Sequence, residues 1–282
     1  MKPEKKGARM FTGRFIATAG MIASVALILW AQWRVTTNGV PLTPDGKPNY
    51  AAPPPKMPDG TTPDLSGVWE VEKQPCTEKT IECVEPAPVG FINIATGAPE
   101  EPPMTPWAEA LVKRHRENSH IDDPNLRCLP HAPPRMWANF VAQKLIQTPH
   151  SLTILDEYMG QFRQIFLDGR PLPKNPQPTF KGYSIGRWEG DALVVETIGM
   201  KGNWFDPQGH PLTEQARLIE RIRRVSYGNL EVEVTVDDAK AYTKPWTRTL
   251  KLLLALNTEL LEFICNENEQ DLQFLVGAGK AK

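Results

Sequence analysis

Residues 181–200 read KGYSIGRWEGDALVVETIGM, and their pattern predicts a β-hairpin. One strand is expected over residues 183–188 and the return strand over residues 192–198, with a tight turn at residues 189–191 between them. Gly190 suits a turn position that needs a positive φ, and the residues after it are apolar or β-branched. Because similar hairpins can be drawn on both sides, the stretch predicts a meandering antiparallel sheet.

The flanking sequence supplies further strands for that sheet. They are predicted over residues 64–71, 140–148, 152–158, 161–167, 216–225, 230–237, 247–256 and 259–266. The run LEVEVTV at residues 230–236 alternates apolar and polar positions, so one face of this strand is expected to be buried and the other solvated. About nine or ten strands are enough to close a β-barrel, and we predict a mostly β fold of this kind. An open two-sheet sandwich is the alternative.

One short helix is predicted between the first strand and the others. Thr105 offers an N-cap hydroxyl, Pro106 fits the first helical position, and the helix is expected to end near Glu117. Residues 122–135 are rich in proline and are predicted to form a long loop.

The first 34 residues predict export and attachment to a membrane. Residues 1–14 carry five basic side chains against one acid, and residues 15–33 contain no charge. The uncharged run has about the roughly 20 residues that a helix needs to span a bilayer. Because small residues suited to signal cleavage are poorly placed, we favour an uncleaved anchor in the bacterial inner membrane. The chain then faces the periplasm; a removed signal peptide and a free periplasmic or secreted protein are the alternative.

The remaining chain is interpreted as a linker and one domain. Residues 35–63 hold eight prolines without apolar periodicity, which predicts a semi-rigid, proline-rich linker. An ordered arm along the barrel is the alternative for its last third. Residues 64–282 are then a single β-barrel domain. The formal net charge of −1 produces no overall field that attracts nucleic acid, so no nucleic-acid partner is expected.

Four cysteines, an even number in an exported chain, predict two disulfides. Cys76 and Cys83 close a short local loop and are the expected first pair. Cys128 and Cys265 then join distant parts of the sequence. Metal binding is the alternative, but no C-x-x-C spacing is present and the histidines and aspartates of residues 115–131 match no compact ligand set, so no metal site is predicted.

Six short motifs together resemble a known group of sequences. They are CLPHAPPR (residues 128–135), IQTP (146–149), the run at 182–197, GHPLTE (209–214), ERIRR (220–224) and ICNEN (264–268). They resemble a largely uncharacterised family of exported bacterial β-rich proteins, which carry C-L-P-x-G-x-P-R, G-R-W-E-G-D and a terminal C-x-E-N. The resemblance covers roughly residues 64–268; it implies export and a β-rich fold, but no reaction. The family often has a glycine within residues 131–134, so that loop is expected to differ here.

The first predicted strand carries a second resemblance. DLSGVWEV at residues 64–71 is similar to the opening strand of lipocalin-like (calycin) barrels. A barrel of this size can enclose one small ligand, so the resemblance implies an interior pocket.

A possible acid–base group lies on the loop before the strand predicted at residues 216–225. His210 is close in sequence to Asp206 and Glu214, and a carboxylate beside a histidine can set its tautomer and raise its basicity. These three residues are the candidates for catalysis. The alternative is structural, since residues 206–209 have a β-turn signature and Glu214 can cap the next strand.

Arginines and aromatic residues are the candidates for ligand binding. Arg163 and Arg187 each lie in a predicted strand beside an aromatic residue, and an inward-facing guanidinium can bind both oxygens of a carboxylate or phosphate. The aromatic candidates are Tyr158, Tyr183, Trp188 and Trp204. Structural ion pairs with Glu189, Glu196 or Glu220 are the alternative for the arginines, and the aromatic residues suit an ordinary barrel core equally well.

The sequence thus predicts a membrane-tethered periplasmic barrel that binds a small hydrophobic or amphipathic molecule with a polar or acidic end. The spacing GYSIG at residues 182–186 matches a nucleophile elbow but lies inside a strand, which removes that mechanism. No P-loop or dinucleotide fingerprint is present, so no cofactor is predicted. Two alternatives are a cofactor-free isomerase, lyase or hydrolase that uses His210 in the same pocket, and a structural partner of an envelope complex.

Overall fold

The computed structural model describes residues 39–72, 102–139 and 141–267. The predicted membrane anchor at residues 15–33 and the predicted disulfide between Cys76 and Cys83 lie outside these ranges. None of the helices in the three ranges is long and apolar enough to cross a membrane.

The described chain is built mainly from strands. In chain order the elements are β1 (Gly67–Val71), α1 (Pro106–Glu117), α2 (Pro133–Trp137), β2 (Gln143–Thr148), β3 (Ser151–Asp156), β4 (Gln161–Phe166), β5 (Tyr183–Glu189), β6 (Ala192–Ile198), β7 (Asn203–Trp204), β8 (Pro211–Leu212), β9 (Arg217–Ser226), β10 (Asn229–Asp237) and β11 (Trp246–Leu254), with 3-10 turns at Pro124–Arg127 and Tyr158–Gly160. The helix at residues 106–117 is confirmed, including its cap: the Thr105 hydroxyl accepts a hydrogen bond from the Ala108 backbone N–H.

Nine strands form a closed barrel in the order β1-β11-β10-β9-β6-β5-β4-β3-β2, which closes because β1 pairs with both β11 and β2. The neighbouring pairs are antiparallel except for β4 and β5, which are parallel over Ile165–Ser184 and Phe166–Ile185. The directions of nine strands in a ring cannot alternate all the way round, so one neighbouring pair has to be parallel. The closed mostly β barrel is confirmed, whereas a purely antiparallel meander is wrong at this β4–β5 seam.

The tenth predicted strand does not form. Residues 259–266 are irregular. Each barrel strand already has two hydrogen-bonded neighbours, so the closed barrel offers no free edge to another strand. This C-terminal segment instead lies against the barrel, where the Leu261 N–H donates to the Glu157 carboxylate at 3.0 Å.

The proline-rich stretch at residues 122–135 is more ordered than the loop predicted from its sequence. It contains the 3-10 turn and most of α2. Pro133 and Pro134 occupy the first turn of α2, where a helix tolerates residues without an N–H. Proline therefore starts this helix, and the long-loop prediction is wrong here.

The β-hairpin predicted within residues 181–200 forms as expected. Strands β5 and β6 pair from Tyr183–Ile198 to Glu189–Ala192, and Gly190 has a φ of +64° in the turn. On the outer face of the barrel, the Glu189 carboxylate forms ion pairs with the guanidinium groups of Arg187, at 2.8 Å, and of Arg221, at 2.9 Å. These exposed ion pairs are worth little individually, and the hairpin is stabilised mainly by its buried face.

One apolar core joins the inner faces of the strands. The alternation in β10 buries its apolar residues, as predicted, and packs them against Trp69 of β1, Leu193 of β6 and other buried side chains. On the outside of the barrel, part of the predicted linker lies along the β9–β10 turn: the Tyr227 N–H donates to the Ala52 carbonyl at 2.7 Å and the Gly228 N–H to the Tyr50 carbonyl at 2.9 Å.

Candidate functional site

A pocket of about 590 Å³ opens at the β4–β5 seam. Strands β4 and β5 pair at only two positions, and the residues just before those positions, 161–164 and 179–183, line the pocket. A parallel pair needs a long crossover, which residues 167–182 provide. The irregular seam thus leaves space in an otherwise paired wall.

The wall of this seam pocket is largely aromatic. Phe162, Phe166, Phe180 and Tyr183 contribute to it. The Phe162 side chain is 63% exposed, so it lies at the pocket mouth, whereas the other three are half-buried. An apolar ligand that fills this pocket can remove these rings from water, which favours binding.

Arg163, one of the predicted ligand-binding residues, lines the same pocket but is already engaged. Its side chain and that of Glu220 on β9 are fully buried, and two hydrogen bonds join them, one of them from Nη1 at 2.9 Å. The guanidinium also donates to the hydroxyls of Ser184 and Thr197, and Glu220 accepts the indole N–H of Trp137 at 2.6 Å. Arg163 therefore forms a rigid, neutralised part of the wall.

Lys181 offers the pocket a cation that none of the described residues binds through a hydrogen bond. Its Nζ atom is buried and has no hydrogen-bond partner within the described ranges, although the residue as a whole is half-buried. Burial lowers the pKa of Lys181 from its ordinary value of 10.5 to about 8; the charge of Arg163 acts in the same direction and that of Asp156 against it. A buried, unpartnered ammonium is costly unless the protein uses it.

Asp156 is the acidic counterpart of Lys181. It is 2% exposed at the end of β3, where it accepts the Tyr158 N–H at 3.1 Å and the Asn139 amide at 3.3 Å. Burial raises the pKa of Asp156 from 3.8 to about 6, against the lowering effect of the Lys181 charge. Two groups with oppositely shifted pKa values therefore act on each other beside the pocket.

Side-chain amides complete this polar end of the barrel. Gln143 on β2 and Gln161 on β4 are the cross-strand partners of Asp156, and directly opposite residues share a face of the sheet. Among the described residues, both amide atoms of Gln161 and the Oε1 of Gln143 are buried without a hydrogen-bond partner. Of this row only Gln161 lines the pocket, so Gln161 and Lys181 have hydrogen-bonding capacity that a polar group of a ligand can use.

The other predicted ligand-binding residues are not brought to the seam pocket, with the exception of Tyr183. Arg187 is exposed and paired with Glu189, and Trp188 packs against the core. Tyr158 is 5% exposed; its hydroxyl donates to the Asn125 side chain.

Only two of the three predicted catalytic residues come together in the structure. His210 Nδ1 lies 2.7 Å from Asp206 Oδ2, and both side chains are almost completely buried. The other oxygen of Asp206 accepts the backbone N–H groups of Gln208 and His210. Glu214 is exposed and does not join the pair. The Asp206–His210 pair thus stabilises the short β7–β8 hairpin, and its imidazole presents almost no surface to a substrate.

Glu214 and Trp204 line a second pocket of about 430 Å³, between α1 and β8. The rings of His115 on α1 and Trp204 pack in a tilted arrangement with centroids 4.2 Å apart, and His115 Nδ1 lies 3.0 Å from the Gly209 carbonyl. Burial lowers the pKa of His115. This contact between His115 and Trp204 packs α1 against the β7–β8 hairpin.

The loop with histidines and aspartates is used for structure. Asp123 receives two hydrogen bonds from Arg135, at 2.8 and 2.9 Å, and His131 stacks on Tyr158. Burial, followed by the charge of Arg135, lowers the pKa of His131 to about 2, so its ring is neutral. In the three described ranges, no group of three or more His, Cys, Asp or Glu side chains is arranged to hold a metal ion.

Sequence reasoning missed Lys181, Asp156 and Gln161. A signal for Asp156 was present, because the alternation of SLTILD places it on the inward face with Leu152 and Ile154. Lys181 had no such signal: it precedes a strand as surface lysines commonly do, and only the parallel seam places its amine in a pocket.

Comparisons of the chain with models of protein families, with curated proteins and with solved structures found no match. The fold and the site define the class of this protein as a nine-stranded mixed β-barrel with an aromatic pocket. The pocket lies at the β4–β5 seam, which is the one parallel pair among the described strands.

The shifted pKa values predict how a substitution at this site changes stability. Because the folded-state pKa of Lys181 is below the unfolded value, its charged form opposes folding at low pH, and the cost disappears as pH rises from about 8 to 10.5. At about pH 5, Asp156 is mostly protonated and no longer compensates. Lys181→Met is therefore expected to raise the free energy of unfolding by about 1–3 kcal/mol at that pH and by little near pH 10.

Urea unfolding at the two pH values measures this effect. Lys174→Met is the matched control, since Lys174 lies exposed on the same 167–182 connection. A loss of stability in Lys181→Met at the lower pH contradicts the interpretation, because it means that the ammonium is held by stabilising contacts.

Proposed function

We propose that this chain is a membrane-tethered periplasmic barrel that binds a small, largely apolar molecule with an acidic end in the seam pocket. The observation that carries this proposal is an aromatic-walled space of about 590 Å³ that contains the unpartnered Nζ of Lys181. The volume is in the usual range for small-molecule sites, roughly 300–1,000 Å³.

The two ends of the ligand have separate partners in this proposal. Its apolar body lies against Phe162, Phe166 and Phe180, and its carboxylate receives a charge-assisted hydrogen bond from Lys181. The Gln161 amide, which has no partner in the protein, is a further donor. Arg163 keeps its bonds to Glu220, so Lys181 rather than Arg163 selects the acid.

The pocket lies at the β4–β5 seam and not in the interior that the lipocalin-like resemblance implied, where the apolar core packs. We also propose that the chain belongs to the family of exported bacterial β-rich proteins that its motifs resemble. Two features support this. The G-R-W-E-G-D motif forms the β5–β6 turn, and the disulfide between Cys128 and Cys265 joins the C-L-P and C-x-E-N motifs. Disulfides persist in oxidising compartments such as the periplasm, which agrees with a tether at residues 15–33.

A second candidate is a cofactor-free enzyme in the same pocket. The pair formed by Asp156 and Lys181 favours it, since opposite shifts of pKa to about 6 and about 8 bring both groups towards neutral pH, where acid–base catalysis is most effective. In this candidate Asp156 and Lys181 take the acid–base role that the sequence predicted for His210.

Decanoate and 1-decanol, which differ in charge but share a chain length, test the leading proposal by isothermal titration calorimetry. Lys181→Met is expected to weaken decanoate binding about 10–100-fold, since a hydrogen bond to a charged group contributes about 1.5–3 kcal/mol. The affinity for 1-decanol is expected to stay within about threefold, because the methionine stem preserves the apolar contact.

Two control variants locate the binding site. Lys174→Met is expected to leave both affinities unchanged. Phe162→Ala is expected to weaken both ligands, whereas Ile146→Ala, which removes an exposed apolar side chain outside the pocket, is expected to weaken neither. The proposal fails if neither ligand binds the wild-type protein, or if Lys181→Met weakens the alcohol as much as the acid.

A further inference from the structure

The amine of Lys181 has the surroundings of a nucleophile. Its Nζ is buried, lies in the wall of an open pocket, and donates no hydrogen bond to any group in the part of the chain that the structure describes. Lysines in ordinary structural roles point into water or pair with a carboxylate. A lysine that does neither has a lone pair available whenever it loses its proton.

Burial favours that loss. It has the largest effect on Lys181 and lowers the pKa of its amine to about 8, so that neutral amine is present near neutral pH. The charges around Lys181 oppose the loss on balance, because the Asp156 carboxylate on β3 raises this pKa more than the Arg163 guanidinium on β4 lowers it. The ring of His131, in the loop before α2, is neutral, and Arg163 is already neutralised by Glu220.

We propose that Lys181 captures the carbonyl group of an apolar aldehyde as an imine. The inference rests on the proposed function in that it uses the same pocket, and it assigns a second chemical class of ligand to it. The neutral amine attacks the carbonyl carbon, a C–N bond forms, and the oxygen takes a proton to give a carbinolamine. This intermediate loses its hydroxyl group and the proton on nitrogen as water, leaving C=N.

Asp156 is the residue that can carry the protons in this sequence. It lies directly opposite Gln161, which lines the pocket, and its carboxyl acts electrostatically on Lys181. Burial raises the pKa of Asp156 to about 6, so that both its acid and its carboxylate form are accessible near neutral pH. As an acid it protonates the departing hydroxyl group, and as a carboxylate it accepts the proton from nitrogen. The net change is amine plus aldehyde to imine plus water, with no oxidant or reductant.

The pocket wall defines the aldehyde. Three phenylalanines and a tyrosine surround the space, and the described wall places no carboxylate at its mouth, where Phe162 is exposed. A linear or aromatic aldehyde fits these contacts, and the open mouth lets the water leave. A sugar or another highly polar carbonyl compound lacks partners for its hydroxyls along this wall.

Reductive trapping on the full-length protein in detergent tests the proposal. Decanal is added with sodium cyanoborohydride, and the alkylated lysines are quantified by peptide mass spectrometry. Lys181 is expected to react at least about tenfold faster than the exposed Lys174, with a rate that rises through about pH 8, because burial lowers the pKa of Lys181 and the pocket holds the aldehyde beside it. Asp156→Asn removes the charge that raises this pKa, so the two proteins are compared above about pH 9, where Lys181 is mostly neutral in both. There Asp156→Asn is expected to slow the labelling of Lys181 and to leave that of Lys174 unchanged.

The result separates this inference from the proposed function. If decanoate binds but Lys181 is labelled no faster than Lys174, the imine is refuted and the binding site stands. If Lys181 is labelled selectively although decanoate does not bind, the imine is supported and the acidic ligand is refuted. If decanoate does not bind and the labelling is unselective, both fail. Excess decanoate that slows the labelling of Lys181 alone supports both.

Discussion

Replacing Cys128 and Cys265 together by serine is expected to lower the free energy of unfolding by about 4–5 kcal/mol. The disulfide joins residues separated by 137 positions, with their Cα atoms 5.7 Å apart. A cross-link over so long a loop removes many conformations from the unfolded chain, and the entropy lost there stabilises the fold. Among the described residues, the other contacts of the C-terminal segment add little to this effect.

Those other contacts are weak and mostly exposed. Beyond β11 the segment has an ion pair between Glu259 and Lys144, a hydrogen bond from Leu261, and a tilted ring contact between Phe263 and Tyr158 with centroids 5.0 Å apart. Exposed ion pairs contribute about 0–1 kcal/mol each. The disulfide therefore holds Phe263 over the polar end of the barrel, and its removal is expected to expose Tyr158.

Urea unfolding followed by tryptophan fluorescence measures the loss. In excess reducing agent, the urea midpoint of the wild-type protein is expected to fall to that of the Cys128→Ser/Cys265→Ser variant. The reducing agent is expected to change the midpoint of that variant much less. Cys76→Ser/Cys83→Ser is the control for the short loop. An unchanged midpoint in the Cys128→Ser/Cys265→Ser variant contradicts the prediction, because it means that this disulfide does not constrain the unfolded chain.

Local sequence patterns predicted most of the barrel wall. Residues 192–198 form β6 within the predicted bounds, and the other paired strands differ by a few residues at their ends. The disulfide between Cys128 and Cys265 is confirmed as well, although it was inferred only after the other two cysteines had been paired. These features depend on residue alternation, turn chemistry and cysteine parity, which are local or countable.

The candidate site was not predictable in the same way. Whether Lys181 faces water or a pocket depends on the direction in which β5 runs beside β4. A closed ring of nine strands requires a parallel pair, but local sequence patterns do not tell which pair it is. Asp156 and Lys181 are 25 positions apart in sequence and meet only through this topology. The sequence therefore favoured Arg163, whose position within a strand was visible, over the lysine that remains unpaired.

The buried ion pair predicts the other large loss of stability. Glu220→Gln keeps the shape of the side chain but removes its charge, which leaves the guanidinium of Arg163 buried without an anion. Breaking such a pair is expected to cost about 3–5 kcal/mol. Glu196→Gln on the neighbouring strand is the matched control. Because the Arg217 side chain that pairs with Glu196 is exposed, the loss of stability is expected to be about 1 kcal/mol or less.

The double variant Arg163→Met/Glu220→Leu separates the cost of an unpaired charge from the value of the pair itself. In this variant neither charge of the pair remains, and Ser184 and Thr197, which bond each other at 2.9 Å, can keep their hydrogen bond. We therefore expect it to be more stable than Glu220→Gln, because desolvation of the two charges offsets much of their attraction. A double variant that is less stable than Glu220→Gln means that the Arg163–Glu220 pair stabilises the barrel outright. In that case the wall of the seam pocket depends on this pair for its rigidity, and decanoate affinity has to fall in both variants.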